Sequence, residues 1–212
     1  MPLKVLFVRH GESQANLDQM FANRVGIPGD LTPAGVAQAH ALAESLAPEP
    51  VTHVYTSPLD RARQTAEIIA KTLGVPATIT DALREYDVGD FEGKPYSGSD
   101  AWRWERYERI ERAWRDGQHE ARHSEGESLF DLRDRFLPFM DRLVEHHDKS
   151  EILIAVGHGG LFRAVLPFLF ASLPSPEVYA QPLRHGDMVV AVHDRGTWRC
   201  EGWGEQQASG AG

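Results

Sequence analysis

Apolar residues along the chain alternate between short continuous runs and helical spacing. Leu3 to Val8 is apolar but for Lys4, as expected of a buried strand, and ends in Arg9-His10-Gly11 before a polar, helix-like stretch from Glu12. Thr32-Pro33 reads as an N-cap with proline at the first helical position. Val36, Ala39, Leu42 and Leu46 follow at helical spacing and predict an amphipathic helix over 33–47. Val51 to Thr56 is strand-like and leads into Ser57-Pro58. Leu59, Ala62, Ala66, Ile69 and Leu73 then repeat at three and four until Gly74.

A short strand at Ala77 to Thr80 precedes Leu83-Arg84-Glu85 and a glycine-rich segment, 89–98, expected to be a long loop of the kind that carries function. Residues 100–116 read as a helical insert, with Trp104, Tyr107, Ile110 and Trp114 on one broad face. Arg103, Arg106, Arg109, Arg112 and Arg115 recur every third residue, a period that drifts around a helix. They are expected to be solvated and paired with Glu105, Glu108 and Glu111.

Leu129, Leu132, Phe136, Met140 and Leu143 mark a long amphipathic helix, and His146-His147-Asp148 at its end reads as capping and solvated surface. Glu151 to Val156 is the most strand-like run and ends in Gly157-His158-Gly159-Gly160. Leu161 to Leu173 is apolar and helix-like, Asp187 to His193 and Thr197 to Glu201 form a hairpin joined at Arg195-Gly196, and 204–212 reads as a flexible tail.

Strands alternating with helices predict an α/β fold, a mostly parallel sheet covered on both faces, with an antiparallel edge from the final hairpin. No linker-like shift in composition divides 1–203, which are expected to form one domain. With 212 residues the chain is long enough to bury a full core, and its net charge of -9 argues against nucleic acid as a partner. No apolar run approaches the ~18 residues of a membrane span, and no signal-peptide pattern opens the chain, so a cytoplasmic address is expected. The single cysteine, Cys200, has no partner for an internal disulfide. Arginine outnumbers lysine heavily among the 22 basic residues, which suits fork-like contacts to phosphate or carboxylate.

Three unusual segments follow predicted strands: Arg9-His10-Gly11-Glu12-Ser13, Thr56-Ser57-Pro58-Leu59-Asp60-Arg61 and Gly157-His158-Gly159-Gly160. A fourth, Glu85, follows the third candidate strand in a loop. Ligands of open α/β sheets bind beyond the carboxyl ends of the strands, where helix N-termini attract anions. Two histidines, two arginines and a carboxylate at that edge supply a nucleophile, cationic clamps and a proton donor for phosphoryl transfer. Gly11, Gly159 and Gly160 would let backbone amides approach an anion. Any one of these residues has an ordinary structural reading; their convergence carries the inference. The P-loop, Gly-x-Ser-x-Gly and His-Glu-x-x-His patterns are absent, as is a cysteine–arginine phosphatase loop, and no metal-ligand spacing surrounds His10 or His158.

Arg-His-Gly-Glu-Ser, Ser-Pro-Leu-x-Arg-Ala-x-Gln-Thr-Ala and Gly-His-Gly-Gly, in that order over roughly 3–195, resemble the histidine phosphatase superfamily, which includes the cofactor-dependent phosphoglycerate mutases. The resemblance implies a three-layer α/β/α sandwich. It makes His10 the phosphorylated nucleophile, Arg9, Arg61 and His158 the side chains around the phosphoryl oxygens, and Glu85 the proton donor. Asn16 matches a phosphate-pocket residue, and Ser13, Gly159, Gly160 and His185 are counted as substrate-binding. Gly26-Ile27-Pro28-Gly29-Asp30, the insert and Arg184-His185-Gly186-Asp187 depart from the usual pattern and bear on the substrate. Glu85 is followed by Tyr86-Asp87-Val88-Gly89 instead of the Arg-His-Tyr-Gly of glycolytic mutases, and with Gly126-Glu127-Ser128 this favours the phosphatase branch. The expectation is a metal-independent phosphomonoester hydrolase of the histidine acid type, needing no cofactor and acting on a small phosphorylated metabolite. A homodimer is an expectation for the class. The alternatives are mutase-like phosphoryl transfer and non-catalytic binding of phosphorylated ligands.

Overall fold

The computed structural model describes residues 2–170 and 182–204. Its strands are β1 (Leu3–Arg9), β2 (Val51–Thr56), β3 (Ala77–Ile79), β4 (Ile152–Gly157), β5 (Met188–Asp194) and β6 (Thr197–Trp203), and its helices are α1 (Gln14–Leu17), α2 (Pro33–Leu46), α3 (Asp60–Leu73), α4 (Trp102–Arg115), α5 (Leu129–His146) and α6 (Gly159–Leu169). The strands form one sheet in the order β3-β2-β4-β1-β5-β6. β1, β2, β3 and β4 are mutually parallel, and β5 is antiparallel to both β1 and β6.

All six residues of β4 are buried, because a central parallel strand is covered on both faces and therefore reads as a continuous apolar run. Side chains alternate across the sheet: Val5, Phe7, Leu153 and Ala155 pack with α5 and α6, while Leu6, Val8, Ile154 and Val156 pack with α2 and α3. The result is a three-layer α/β/α sandwich. Among the described residues, no helix is long and apolar enough to cross a membrane.

Register places the chemistry. Arg9 pairs with Gly157 and Thr56 with Val156, so β1, β2 and β4 end side by side. The ladder runs one residue further: the His10 amide donates to the Gly157 carbonyl and the Ser57 amide to the Val156 carbonyl, each at 3.0 Å. His10, Ser57 and His158 are thereby set at one edge before any side chain acts.

A second brace holds the loop that carries Glu85. Arg135 on α5 donates to the carbonyls of Asp81, Ala82 and Arg84 and to the Glu127 carboxylate, which also accepts from Arg84 and from the Asp87 amide. Gly89 lies in the same brace with φ +61, against the Ser124 backbone.

Several expectations shift. The helix after β1 is a single turn: Ser13 caps it and Gln19, at φ 49, ends it, so that Phe21 to Asn23 can run back to the site. α6 begins at Gly159, two residues before the apolar run, and residues 171–173 of the expected helix and 205–212 of the expected tail lie outside the described residues. Two 3₁₀ turns, Gly89–Phe91 and Gly98–Asp100, punctuate the glycine-rich loop. In α4, Arg103 pairs with Asp100 instead of a helix glutamate, and Glu111 pairs with Arg163. His147 is not solvated surface; its ring bridges the Tyr55 hydroxyl at 2.8 Å and Glu151 at 3.1 Å, because the chain turns back there to start β4.

Gly89→Ala is expected to lower stability by at least about 2 kcal/mol, since a Cβ would overlap the Ser124 carbonyl and hold alanine at positive φ. Urea unfolding checks it, and a midpoint equal to the wild type's would contradict the brace.

Candidate active site

His10 is 3% exposed. Its Nδ1 lies 2.7 Å from the Gly11 carbonyl, an acceptor only, so Nδ1 carries the proton. Nε2 is then the lone-pair nitrogen, and Arg61 Nε donates to it at 3.1 Å. Burial first, then the charges of Arg61 and Arg9, hold the ring well below its ordinary pKa of 6.5. At neutral pH His10 is an uncharged imidazole whose free nitrogen is Nε2.

Gly11 is glycine for a different reason from the one the sequence suggests. A Cβ there would lie 2.5 Å from the Gly35 carbonyl, and its amide already donates to Thr65 Oγ1 at 3.1 Å, so it is not offered to an anion.

Arg61, in the first turn of α3, is buried and pinned at its other nitrogens by the Ala22 carbonyl at 2.6 Å and Asn23 Oδ1 at 3.1 Å. Burial lowers its pKa to about 10, which leaves it cationic at neutral pH. Arg9, at the end of β1, donates to the Leu183 carbonyl at 2.5 Å and to His185 Nε2 at 3.0 Å. Its Nε is buried without a partner. Unmet buried donors cost roughly 1–3 kcal/mol each, so a ligand oxygen here is favoured.

Glu85 is partly buried, and its Oε2 accepts the Gly160 amide at 3.0 Å while Oε1 accepts the Tyr86 amide at 3.1 Å. Burial raises its pKa; the Tyr86 amide, Arg61 and the Gly160 amide offset this only in part, leaving a carboxyl that retains its proton to higher pH than usual. The N-terminus of α6 therefore holds Glu85, and the Gly160 amide is taken. Gly160 must be glycine because a Cβ would lie 2.8 Å from the Glu85 carboxylate, and a Cβ on Gly159 would press on Arg9 at 3.3 Å.

His158 is fully buried beside His10, with ring centroids 5.0 Å apart, and its Nε2 lies 2.8 Å from Ser57 Oγ. That hydroxyl also accepts the Leu59 amide at 3.3 Å, so the start of α3 holds the Ser57 side chain against the ring. Nδ1 has no partner.

A cavity of about 270 Å³ opens over these groups, lined by Arg9, His10, Asn16, Arg61, Glu85, Gly159 and Gly160 from the predicted set. Ser13, His158 and His185 do not line it. Ser13 is fully buried and directs both its amide and its hydroxyl to Asn16 Oδ1, at 3.1 and 2.9 Å. That anchors the Asn16 oxygen and leaves its NH₂ as the end for the cavity. His185 orients Arg9 from outside, with its pKa brought down to about 4 by burial and then Arg9.

Sequence reasoning missed Asn23, Tyr96 and Arg163, which also line the cavity. Arg163 had a signal, being the only charge in α6. Asn23 had none, because its role comes from contact with Arg61 across 38 residues. From the insert, Trp104 and Tyr107 reach the cavity while Arg103 and Arg106 flank Trp102. Among the described residues no group of three or more His, Cys, Asp or Glu is placed to hold a metal ion.

Residues 5–206 match the family model described as histidine phosphatase superfamily (branch 1). "Phosphoglycerate mutase-like protein 4" of Arabidopsis thaliana is 32% identical over 204 residues, 95% of this chain and 85% of that protein. Among solved structures, mycobacterial glucosyl-3-phosphoglycerate phosphatase superposes with a TM-score of 0.78 at 24% identity, covering 95% of this chain and 98% of that one. The alpha-ribazole phosphatase of Shigella flexneri gives 0.75 at 24% identity, with 95% and 96% covered. These two likenesses are of fold.

The depressed histidines set a pH signature. Folding lowers their pKa, so protonation favours the unfolded chain; stability is full above 6.5 and declines as pH falls towards the folded values, about 4 for His185 and His123. Imidazole NMR signals of His10 and His158 are expected to stay unshifted from pH 8 to 5 while denaturation midpoints fall below pH 6.5. A His10 titration centred near 6.5 would contradict the neutral, buried imidazole.

Proposed function

Because the chain belongs to the histidine phosphatase superfamily, we propose that it hydrolyses small phosphomonoesters through a phosphohistidine on His10. The observation that carries this reading is the orientation of one ring. His10 Nδ1 is committed to the Gly11 carbonyl, so Nε2 meets a cavity that also holds Arg9, Arg61 and a Glu85 carboxyl inclined to keep its proton.

In the first step the Nε2 lone pair attacks phosphorus in line and the bond to the ester oxygen breaks. Glu85 passes its proton to that oxygen, and the alcohol departs. The hydrogen bond from Arg61 Nε, which His10 Nε2 accepts beforehand, switches to a phosphoryl oxygen as the N–P bond forms, and the guanidinium keeps its proton. Arg9 Nε and, with His158 as its Nδ1–H tautomer, His158 Nδ1, both buried without partners at the site, supply further hydrogen bonds to the equatorial oxygens. The phosphorylated imidazole keeps its Nδ1 proton and carries a positive charge, which makes it a good leaving group. In the second step ionised Glu85 takes a proton from water, the oxygen attacks phosphorus, and the N–P bond breaks. Inorganic phosphate leaves, with His10 neutral and Glu85 protonated again. Two arginine charges serve the phosphoryl group, so no step draws on a metal ion or an added cofactor.

Hydrolysis is favoured over mutase-like transfer by Tyr86-Asp87-Val88-Gly89 after Glu85, and the phosphatase names of the two superposed structures agree with it. The mutase-like name of the Arabidopsis relative keeps phosphoryl exchange as the competing outcome.

Phosphate release in the presence of EDTA, with no bisphosphorylated primer, tests the reading. Glu85→Gln is expected to slow single-turnover cleavage of alkyl phosphates by about 10²- to 10⁴-fold and of nitrophenyl phosphate much less, since only an alkoxide needs the proton. Equal losses for both esters would remove Glu85 as the acid. Turnover that appears only with added divalent metal or with a primer would replace the proposed reaction.

A further inference from the structure

Beyond the phosphoryl site, the cavity wall is aromatic and electrically balanced. Phe21, Tyr96, Trp104 and Tyr107 line it. Trp104 stacks on Tyr107 at 4.8 Å and 17° and leans on Tyr96 at 5.0 Å, yet it stays 39% exposed. An indole that lines the cavity, packed against two phenols and still partly exposed, offers a platform for the flat face of a ring.

The charges argue separately for what that ring lacks. Among the described residues, Arg9, Arg61 and Arg163 are the cations lining the cavity, and residues 1, 171–181 and 205–212 contain no lysine or arginine. Arg9 and Arg61 belong to the phosphoryl group. The third, Arg163, is matched through one nitrogen to both oxygens of Glu111, at 3.0 and 3.2 Å, and Glu111 is held in turn by the Tyr86 hydroxyl. A second anionic group on the ligand therefore meets no uncompensated cation, and its desolvation is opposed. A volume of about 270 Å³ falls below the ~300–1,000 Å³ of pockets for drug-sized ligands, which suits a phosphoryl group with one ring.

We propose that the substrate is the phosphomonoester of an uncharged ring alcohol, its ring stacked on Trp104, and that the Arg163–Glu111 pair discriminates against esters carrying a second anion. This rests on the phosphatase reading. It makes the insert a specificity element through Trp104, with Glu111 as a positioning residue acting through Arg163.

The test compares kcat/KM within two pairs, phenyl phosphate with 4-carboxyphenyl phosphate and glucose 1-phosphate with glucuronic acid 1-phosphate, which also separates aryl from sugar rings. In each pair the neutral ring is expected to be preferred. Trp104→Ala should lower kcat/KM for the preferred ring ester about 10-fold more than for glycerol phosphate, the scale of one aromatic contact. Glu111→Gln, which keeps an acceptor for Tyr86 and releases the charge of Arg163, should raise the anionic-to-neutral ratio by about 10-fold. Preference for the carboxylated member of both pairs, or ratios unmoved by both variants, overturns the proposal. A nitrophenolate burst measured alongside separates the two readings: with the burst intact only the substrate class fails, and without a burst or turnover the phosphatase reading fails and takes this inference with it.

Discussion

The hydrogen bond from His10 Nδ1 to the Gly11 carbonyl is the constraint on which the site depends. It is made possible by the ladder that carries His10 one residue past β1 onto the Gly157 carbonyl, and by the contact of Gly11 with Gly35, which admits no Cβ. A ring held this way has one tautomer and one available nitrogen. Arg61 reaches that nitrogen only because the chain after α1 returns to pin its guanidinium with Ala22 and Asn23. Removing any of these supports leaves an imidazole in the same place with its lone pair unaimed.

Electrostatics explains why so polar a cluster stays buried. Two guanidinium groups lie beside two imidazoles, and the imidazoles remain neutral because burial and those charges both oppose protonation. Glu85 is the one carboxylate lining the cavity among the described residues, and it is held by amides at the start of α6 and braced from behind by Arg135 and Glu127. The arrangement keeps imidazole, guanidinium groups and carboxyl in fixed relation before a substrate arrives, the preorganisation on which the proposed phosphoryl transfer draws.

Strands and most helices were legible because their signals are local. The Thr32 cap, Gly74 in a left-handed conformation and the continuous apolar run of β4 lie where the pattern placed them. The site was legible as a set of residues following strands, since register alone brings them together. What each residue touches was not. Ser13 was read as touching a ligand, yet it orients Asn16 as a cap at the start of α1, and Gly160 lines the cavity while its amide is given to Glu85 across 75 residues, a contact that no local spacing encodes. The arginines of α4 drew attention by number, while the aromatic residues between them reach the cavity; helix periodicity gives the faces but not which face meets the site. His147 looked solvated because one of its partners, Tyr55, comes from β2, distant in sequence, and the other, Glu151, from the turn that leads into β4.

The central claim is that one nitrogen of one ring accepts the phosphoryl group. Rapid alkaline quench after mixing with a phosphomonoester, followed by peptide mapping and phosphorus NMR of the isolated peptide, identifies that atom. The account predicts phosphorus on Nε2 of His10, because Nδ1 keeps its proton against the Gly11 carbonyl throughout. Phosphorus on Nδ1, or on any residue other than His10, would contradict it.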